Sequence, residues 1–93
     1  MAPEPSSKPS TARVVLLNDD TTTMEFVVEV LREVFGKTDD EAVRLMLDIH
    51  RNGSSECGVY TPEQASQIVE EVTELAQQNQ YPLRCIVEPG PTT

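Results

Sequence analysis

Three consecutive side chains near the start of the chain, Asn18, Asp19 and Asp20, all present carbonyl or carboxylate oxygen atoms. They join a short apolar run to an apolar pattern with helical spacing that includes Met24 and Val27. Oxygen atoms beside apolar side chains suit a ligand that is cationic at one end and hydrophobic at the other, such as the free N-terminal residue of a polypeptide. Turn formation is the alternative, because Asn and Asp often bond to their own backbone before a helix. A metal site is the weakest interpretation, since the spacing of a calcium-binding loop is absent.

The single histidine, His50, lies at the edge of the apolar face that Met46 and Ile49 predict for a second helix. A neutral imidazole nitrogen can accept a hydrogen bond from an ammonium group, so His50 could complete an amine site with the Asn18–Asp19 turn. A packed or surface histidine without such a role is the alternative.

No sequence motif for catalysis accompanies this histidine. Cys57 has no basic neighbour that would favour its thiolate, so we interpret it as a buried structural thiol rather than a nucleophile. Catalytic-triad, phosphate-loop and zinc-site patterns are also absent. We therefore expect a binding protein without enzymatic activity, catalytic residues, metal or cofactor.

Hydrophobic periodicity predicts the strands that must position these residues. The apolar run predicts a buried strand over residues 13–17, and a short strand is predicted over 57–60. Alternation over residues 83–88 predicts a final strand with Leu83, Cys85 and Val87 on one face.

Capping-box sequences that begin at Thr22, Thr38 and Thr61 predict the starts of three helices. Gly36 and the Asn52–Gly53 pair provide stop signals for the first two. The resulting order β-α-α-β-α-β predicts an α/β (α+β) two-layer sandwich, with three helices packed on a small three-stranded antiparallel sheet.

Length and charge restrict the possible functions. A chain of 93 residues predicts one domain, and its net charge of −9 argues against nucleic-acid binding. No apolar run approaches the ~20 residues of a membrane span, and Met1–Ser10 lacks the apolar centre of a secretory signal.

We expect a disordered extension over residues 1–12, a core domain over 13–88 and a flexible tail over 89–93. We also expect a cytoplasmic monomer with reduced thiols.

Several segments of the sequence together resemble the ClpS family, the bacterial and plastid adaptors of ATP-dependent Clp proteolysis. The similar segments are Leu17-Asn18-Asp19-Asp20, Thr22-x-Met24-Glu25-Phe26-Val27, Leu45-Met46-Leu47-x-Ile49-His50, Cys57-Gly58-Val59-Tyr60-Thr61 and Pro82-Leu83-x-Cys85. The resemblance extends without gaps from about Arg13 to Glu88.

The resemblance implies a reader of N-degrons, which captures polypeptides that begin with Leu, Phe, Tyr or Trp. It implies delivery to the N-domain of the ClpA or ClpC unfoldase, which works with ClpP, and it favours a bacterial cytoplasm over a plastid stroma. Asn18, Asp19 and His50 would bind the α-amino group and first peptide group. The side-chain pocket would be lined by Asp20, Thr22, Met24, Val27, Met46, Ile49 and Leu83. The segment 1–12 would correspond to the extension that the unfoldase engages.

Three features depart from the family pattern. Ile49 stands where Val is frequent, which should shrink the pocket and disfavour Trp relative to Leu. Thr21 and Thr23 stand where Tyr and Pro are common. Glu63 matches an unfoldase-docking position, but Ile68 replaces a usual Lys, which leaves the choice between ClpA and ClpC open. A chaperone-docking module of the same fold that does not recognise N-degrons is the alternative function.

Overall fold

The computed structural model describes residues 11–90, which form six elements. In chain order these are β1 (Ala12–Leu17), α1 (Met24–Glu33), α2 (Asp39–Asn52), β2 (Ser54–Tyr60), α3 (Pro62–Gln78) and β3 (Arg84–Pro89). The three strands form one antiparallel sheet in the order β2-β1-β3. The predicted fold class is therefore confirmed.

The core lies between the helices and one face of the sheet. Val14 and Leu16 of the central strand β1 are fully buried against the helices, together with Val30 and Leu31 of α1. Residues at odd positions of β1 face the helix-free side, where Val15 is nevertheless buried by its neighbours in the sheet. Because β1 is bonded to a strand on each side, its C-terminal end is held in place, and the Asn18–Asp20 segment leaves the sheet from this end.

Two of the three predicted helix starts are confirmed and one is wrong by a residue. Thr38 and Thr61 form complete capping boxes. In α1 the N-cap is Thr23 rather than Thr22, and its hydroxyl accepts the Phe26 backbone N–H at 3.1 Å. The reason is local competition, because the Thr22 hydroxyl and backbone N–H both donate to Asp19.

The other boundaries differ from the predictions by small amounts. α1 ends at Glu33, before the left-handed Gly36 (φ +69°), whereas α2 ends at Asn52 and is capped by the predicted left-handed Gly53 (φ +89°). β1 begins at Ala12, inside the predicted extension, and β2 begins at Ser54, three residues before the predicted strand. The rest of the predicted extension, residues 1–10, and positions 91–93 of the predicted tail lie outside the described residues.

Cys85 and Val87 lie on one face of the last strand, as predicted, but this face is only partly buried. Leu83 is buried and Cys85 is half-buried, but Val87 is 46% exposed. Val87 pairs with Val14 on β1, yet β3 is an edge strand and the helical layer does not extend over this position. An alternating sequence pattern identifies the two faces of a strand but not how far the neighbouring layer extends.

Candidate functional site

The segment that follows β1 is shaped by the Asp19 carboxylate. Its Oδ1 accepts the backbone N–H groups of Thr21 and Thr22, each at 2.8 Å, and its Oδ2 accepts the Thr22 hydroxyl at 2.6 Å. Partial burial raises the pKa of Asp19, but these bonds from Thr22 and Thr21 outweigh that effect and lower the pKa below its usual value. The turn interpretation of this segment is thus structurally correct, and the turn holds a charged carboxylate in one orientation.

A backbone hydrogen bond attaches this turn to the end of α2. The Asn18 N–H donates to the Gly53 carbonyl at 2.9 Å. Gly53 is the left-handed C-cap of α2, and His50 lies in the last turn of that helix. The bond therefore holds the oxygen-rich turn beside the helix end that carries the only histidine. Gly53 was predicted only as a helix stop, and its second role depends on a long-range contact that no local pattern shows.

The two groups of residues line one open cavity of about 170 Å³. Its polar side combines the Asn18–Asp20 turn and Thr22 with His50, and its apolar side combines α1 with α2. The lining residues are Asn18, Asp19, Asp20, Thr22, Met24, Val27, Met46, Ile49 and His50. The structure thus brings together nine of the ten residues proposed for ligand binding.

The apolar side of the cavity is partly core and partly surface. Ile49 is 2% exposed and Val27 is 7% exposed, so both also belong to the hydrophobic core. Met46 packs against that core, whereas Met24 is 48% exposed at the start of α1. The deep part of the cavity is consequently fixed by packing, and Met24 is a flexible side chain at its edge.

Leu83 is the one predicted pocket residue that does not line this cavity. It is 5% exposed and belongs to the core cluster. Its neighbour Tyr81 supports the site indirectly, because its ring packs on Phe26 with centroids 4.8 Å apart. Thr23 also donates a long hydrogen bond of 3.5 Å to the Tyr81 hydroxyl. These contacts stabilise the start of α1, which supplies Met24, and no local sequence pattern predicts them because they join residues more than 50 positions apart.

The predicted docking position lies away from the cavity. Glu63 is exposed in the first turn of α3. Ile68 on the same helix points into the core and is 9% exposed. An Ile at this position therefore stabilises the packing of α3 and adds little apolar surface for a partner.

Neither thiol has the environment of a nucleophile. Burial raises the pKa of Cys57 to about 11 and that of Cys85 to about 11, which disfavours both thiolates. Over residues 11–90, no group of three or more His, Cys, Asp or Glu side chains is arranged to hold a metal ion. In the same range no helix is long and apolar enough to cross a membrane.

Sequence comparisons identify close relatives. A family profile described as the ATP-dependent Clp protease adaptor protein ClpS matches residues 7–86. The ATP-dependent Clp protease adapter protein ClpS of Brucella canis is 54% identical over 81 residues, which are 87% of this chain and 70% of the relative. The protein of the same name from Gluconobacter oxydans is 53% identical over 81 residues, covering 87% of this chain and 68% of the relative.

A solved structure is similar in fold and carries a ligand. The structure of Agrobacterium tumefaciens ClpS2 bound to L-phenylalaninamide superposes with a TM-score of 0.84 at 37% sequence identity. The match covers 89% of this chain and 100% of that chain. L-Phenylalaninamide has a free α-amino group and a bulky apolar side chain, with an amide in place of the carboxylate.

Proposed function

The chain belongs to the ClpS family of Clp protease adaptors, and we propose that its cavity captures polypeptides with a free α-amino group and a bulky hydrophobic first residue. The observation that carries this proposal is the composition of the cavity. Oxygen atoms of the Asn18–Asp19 turn and the His50 imidazole lie on one side, and Val27 and Ile49 lie on the other. A ligand with an ammonium group next to an apolar side chain matches both sides at once.

The polar side suits an α-ammonium group, which has three N–H donors. Asn18 and Asp19 offer acceptor oxygens, and a neutral His50 offers one acceptor nitrogen. Asp19 keeps free acceptor capacity, because a carboxylate has about four lone-pair sites and the turn occupies three. An acetylated N-terminus has no cation and would leave these acceptors without donors, which is costly in a partly buried site.

The apolar side accounts for a preference for large first residues. Burial of a Leu or Phe side chain contributes about 1.5–3 kcal/mol relative to exposure. Small first residues would leave much of the cavity unfilled, and charged ones would lose hydration without a partner. The proposed ligands are therefore N-degrons that begin with Leu, Phe, Tyr or Trp. The phenylalaninamide bound to the Agrobacterium relative has the same chemistry.

The captured polypeptide would be delivered to the Clp unfoldase and its protease. We propose the N-domain of ClpA or ClpC as the direct partner, with ClpP as the protease, and Glu63 as a contact on the exposed start of α3. The bacterial cytoplasm is the proposed compartment, consistent with the bacterial origin of the relatives. This role needs no cofactor and no catalytic residue, and the raised thiol pKa values support an adaptor rather than a hydrolase.

A titration with matched peptides tests the proposal. A short fluorescent peptide that begins with Leu or Phe should bind, and the same peptide with an acetylated N-terminus should bind at least about a hundredfold more weakly, since a charged hydrogen-bond network is lost. Binding of neither peptide would favour the docking module that modulates Clp without recognising N-degrons. Cleavage of the peptide would instead favour a hydrolase.

Binding should weaken as the pH rises above neutrality. Above about pH 8 the peptide's own α-amino group loses its charge, and affinity should fall. Asp19 does not contribute to this decline, because its pKa is below its usual value and its carboxylate therefore stays charged throughout this range.

The measurement is fluorescence anisotropy with the Leu peptide across this pH range. At one pH, two variants test the imidazole separately: His50→Gln keeps an acceptor, its amide oxygen, and His50→Ala keeps none. His50→Ala should therefore weaken binding more than His50→Gln. Equal affinity of the unsubstituted protein and His50→Ala would rule out direct acceptance by the imidazole.

A further inference from the structure

The two edges of the sheet differ in how well they are protected against pairing. In β2 the register with β1 shifts between Val14 and Val15, so this edge strand carries a bulge. β3 pairs with β1 in unbroken register and carries two exposed apolar side chains, Ile86 at 36% and Val87 at 46% exposure. Bulges protect edge strands from pairing with other chains, so β3 is the edge that remains available.

The direction of the free backbone groups of β3 follows from its ladder with β1. Gly90 donates to the Thr11 carbonyl at 3.0 Å and extends the register in which Ala12 faces Pro89. Alternate residues of an antiparallel strand point their backbone groups to opposite neighbours. The even-numbered residues 84–90 therefore bond towards β1, whereas Cys85 and Val87 point their backbone groups outwards. The free edge ends after Val87, because Pro89 has no N–H and its carbonyl accepts the Arg13 Nε–H at 3.1 Å.

The outward edge is complementary to itself. If two copies of β3 pair antiparallel about Ile86, Cys85 of each copy faces Val87 of the other, and both residues have outward N–H and C=O groups. Ile86 then faces Ile86 across the two-fold axis. In the same register Arg84 of each copy faces Glu88 of the other, on the helix-free face of the sheet. Such a pairing would form four backbone hydrogen bonds and two ion pairs.

The charges at the two ends of β3 are free to make these ion pairs. Over residues 11–90 the ion pairs are Arg13–Glu56 and Arg32–Asp39, and neither involves Arg84 or Glu88. Both side chains are exposed. We infer that β3 is a self-association surface, through which two copies of the chain join their sheets into one six-stranded sheet. The surface is small, so the dimer is weak and the monomer predominates in dilute solution.

Sedimentation velocity of the full chain from micromolar to millimolar concentration tests this inference. The unsubstituted protein should shift from monomer to dimer as concentration rises. Arg84→Glu and Glu88→Arg should each weaken association about tenfold, because each places like charges opposite each other twice in the symmetric dimer. The double variant should restore association. An equimolar mixture of the two single variants should also associate, because every introduced charge then faces an opposite one.

This pattern separates the pairing from a general effect of charge. Arg84→Glu makes the net charge of −9 more negative and Glu88→Arg makes it less negative, so general repulsion would change association in opposite directions. A protein that stays monomeric at every concentration would overturn the inference. So would single variants that associate as well as the parent chain. None of the residues lining the cavity lies on β3, so all variants should bind the Leu peptide, and this outcome is independent of the proposed function.

Discussion

Asp19→Asn is expected to weaken binding of a Leu-initiated peptide by about 2–3 kcal/mol, a rise in Kd of about 30- to 150-fold. The substitution removes the negative charge that faces the ligand's ammonium group. The amide oxygen of Asn can take the place of Oδ1 and accept the backbone N–H groups of Thr21 and Thr22. The turn should therefore persist, and the loss of affinity reports the charge itself.

A second substitution in the turn provides the control. Thr22→Val removes the 2.6 Å bond from the Thr22 hydroxyl to Oδ2 of Asp19 and leaves the carboxylate charged. We expect it to weaken binding several-fold at most, since the two backbone bonds still orient the carboxylate. Isothermal titration calorimetry measures the affinities, and thermal unfolding checks that both variants fold. If Asp19→Asn binds as tightly as the parent chain, the carboxylate only shapes the turn and does not contact the ammonium group.

The fold was largely predictable because its signals are local. The Thr38 and Thr61 capping boxes, and Gly53 with its positive φ, each fix a helix boundary through residues within one turn of each other. The error at Thr22 has the same origin. Two threonines compete for one cap, and the outcome depends on Asp19, whose turn bonds remove Thr22 from the competition. A pattern search that ignores this neighbour selects the wrong threonine.

The residues that line the cavity were predictable, but the long-range contacts that hold them in place were not. Resemblance to the family identified the residues that line it, because their types and order are specific. The bond from Asn18 to Gly53 joins positions 35 residues apart in sequence, and the packing of Tyr81 on Phe26 joins the start of α1 to the segment before β3. Leu83 shows the opposite case. It was expected to line the pocket, but it is covered by the core, and only the packing of the layers decides this.

Ile49→Val is expected to improve binding of a Trp-initiated peptide about tenfold relative to a Leu-initiated one. Ile49 is 2% exposed and lines the cavity of about 170 Å³, so its terminal methyl group occupies space that a large side chain needs. Overfilling a packed site by a methylene group costs about 1–3 kcal/mol, and about 1.4 kcal/mol corresponds to a factor of ten. In the parent chain, Leu should therefore bind well and Trp should be the weakest of the four large residues.

Ile68→Val is the matched control for this selectivity. Ile68 is also a buried core residue, but it does not line the cavity. Each substitution should lower the free energy of unfolding by about 0.5–1.5 kcal/mol, measured by urea denaturation. Only Ile49→Val should change the ratio of Trp to Leu affinity, measured by competition with a fluorescent Leu peptide. Because both variants lose the same methylene, a shift in that ratio confined to Ile49→Val assigns selectivity to the cavity wall rather than to stability. Equal affinity of the parent chain for the two peptides would show that this wall does not limit the size of the first residue.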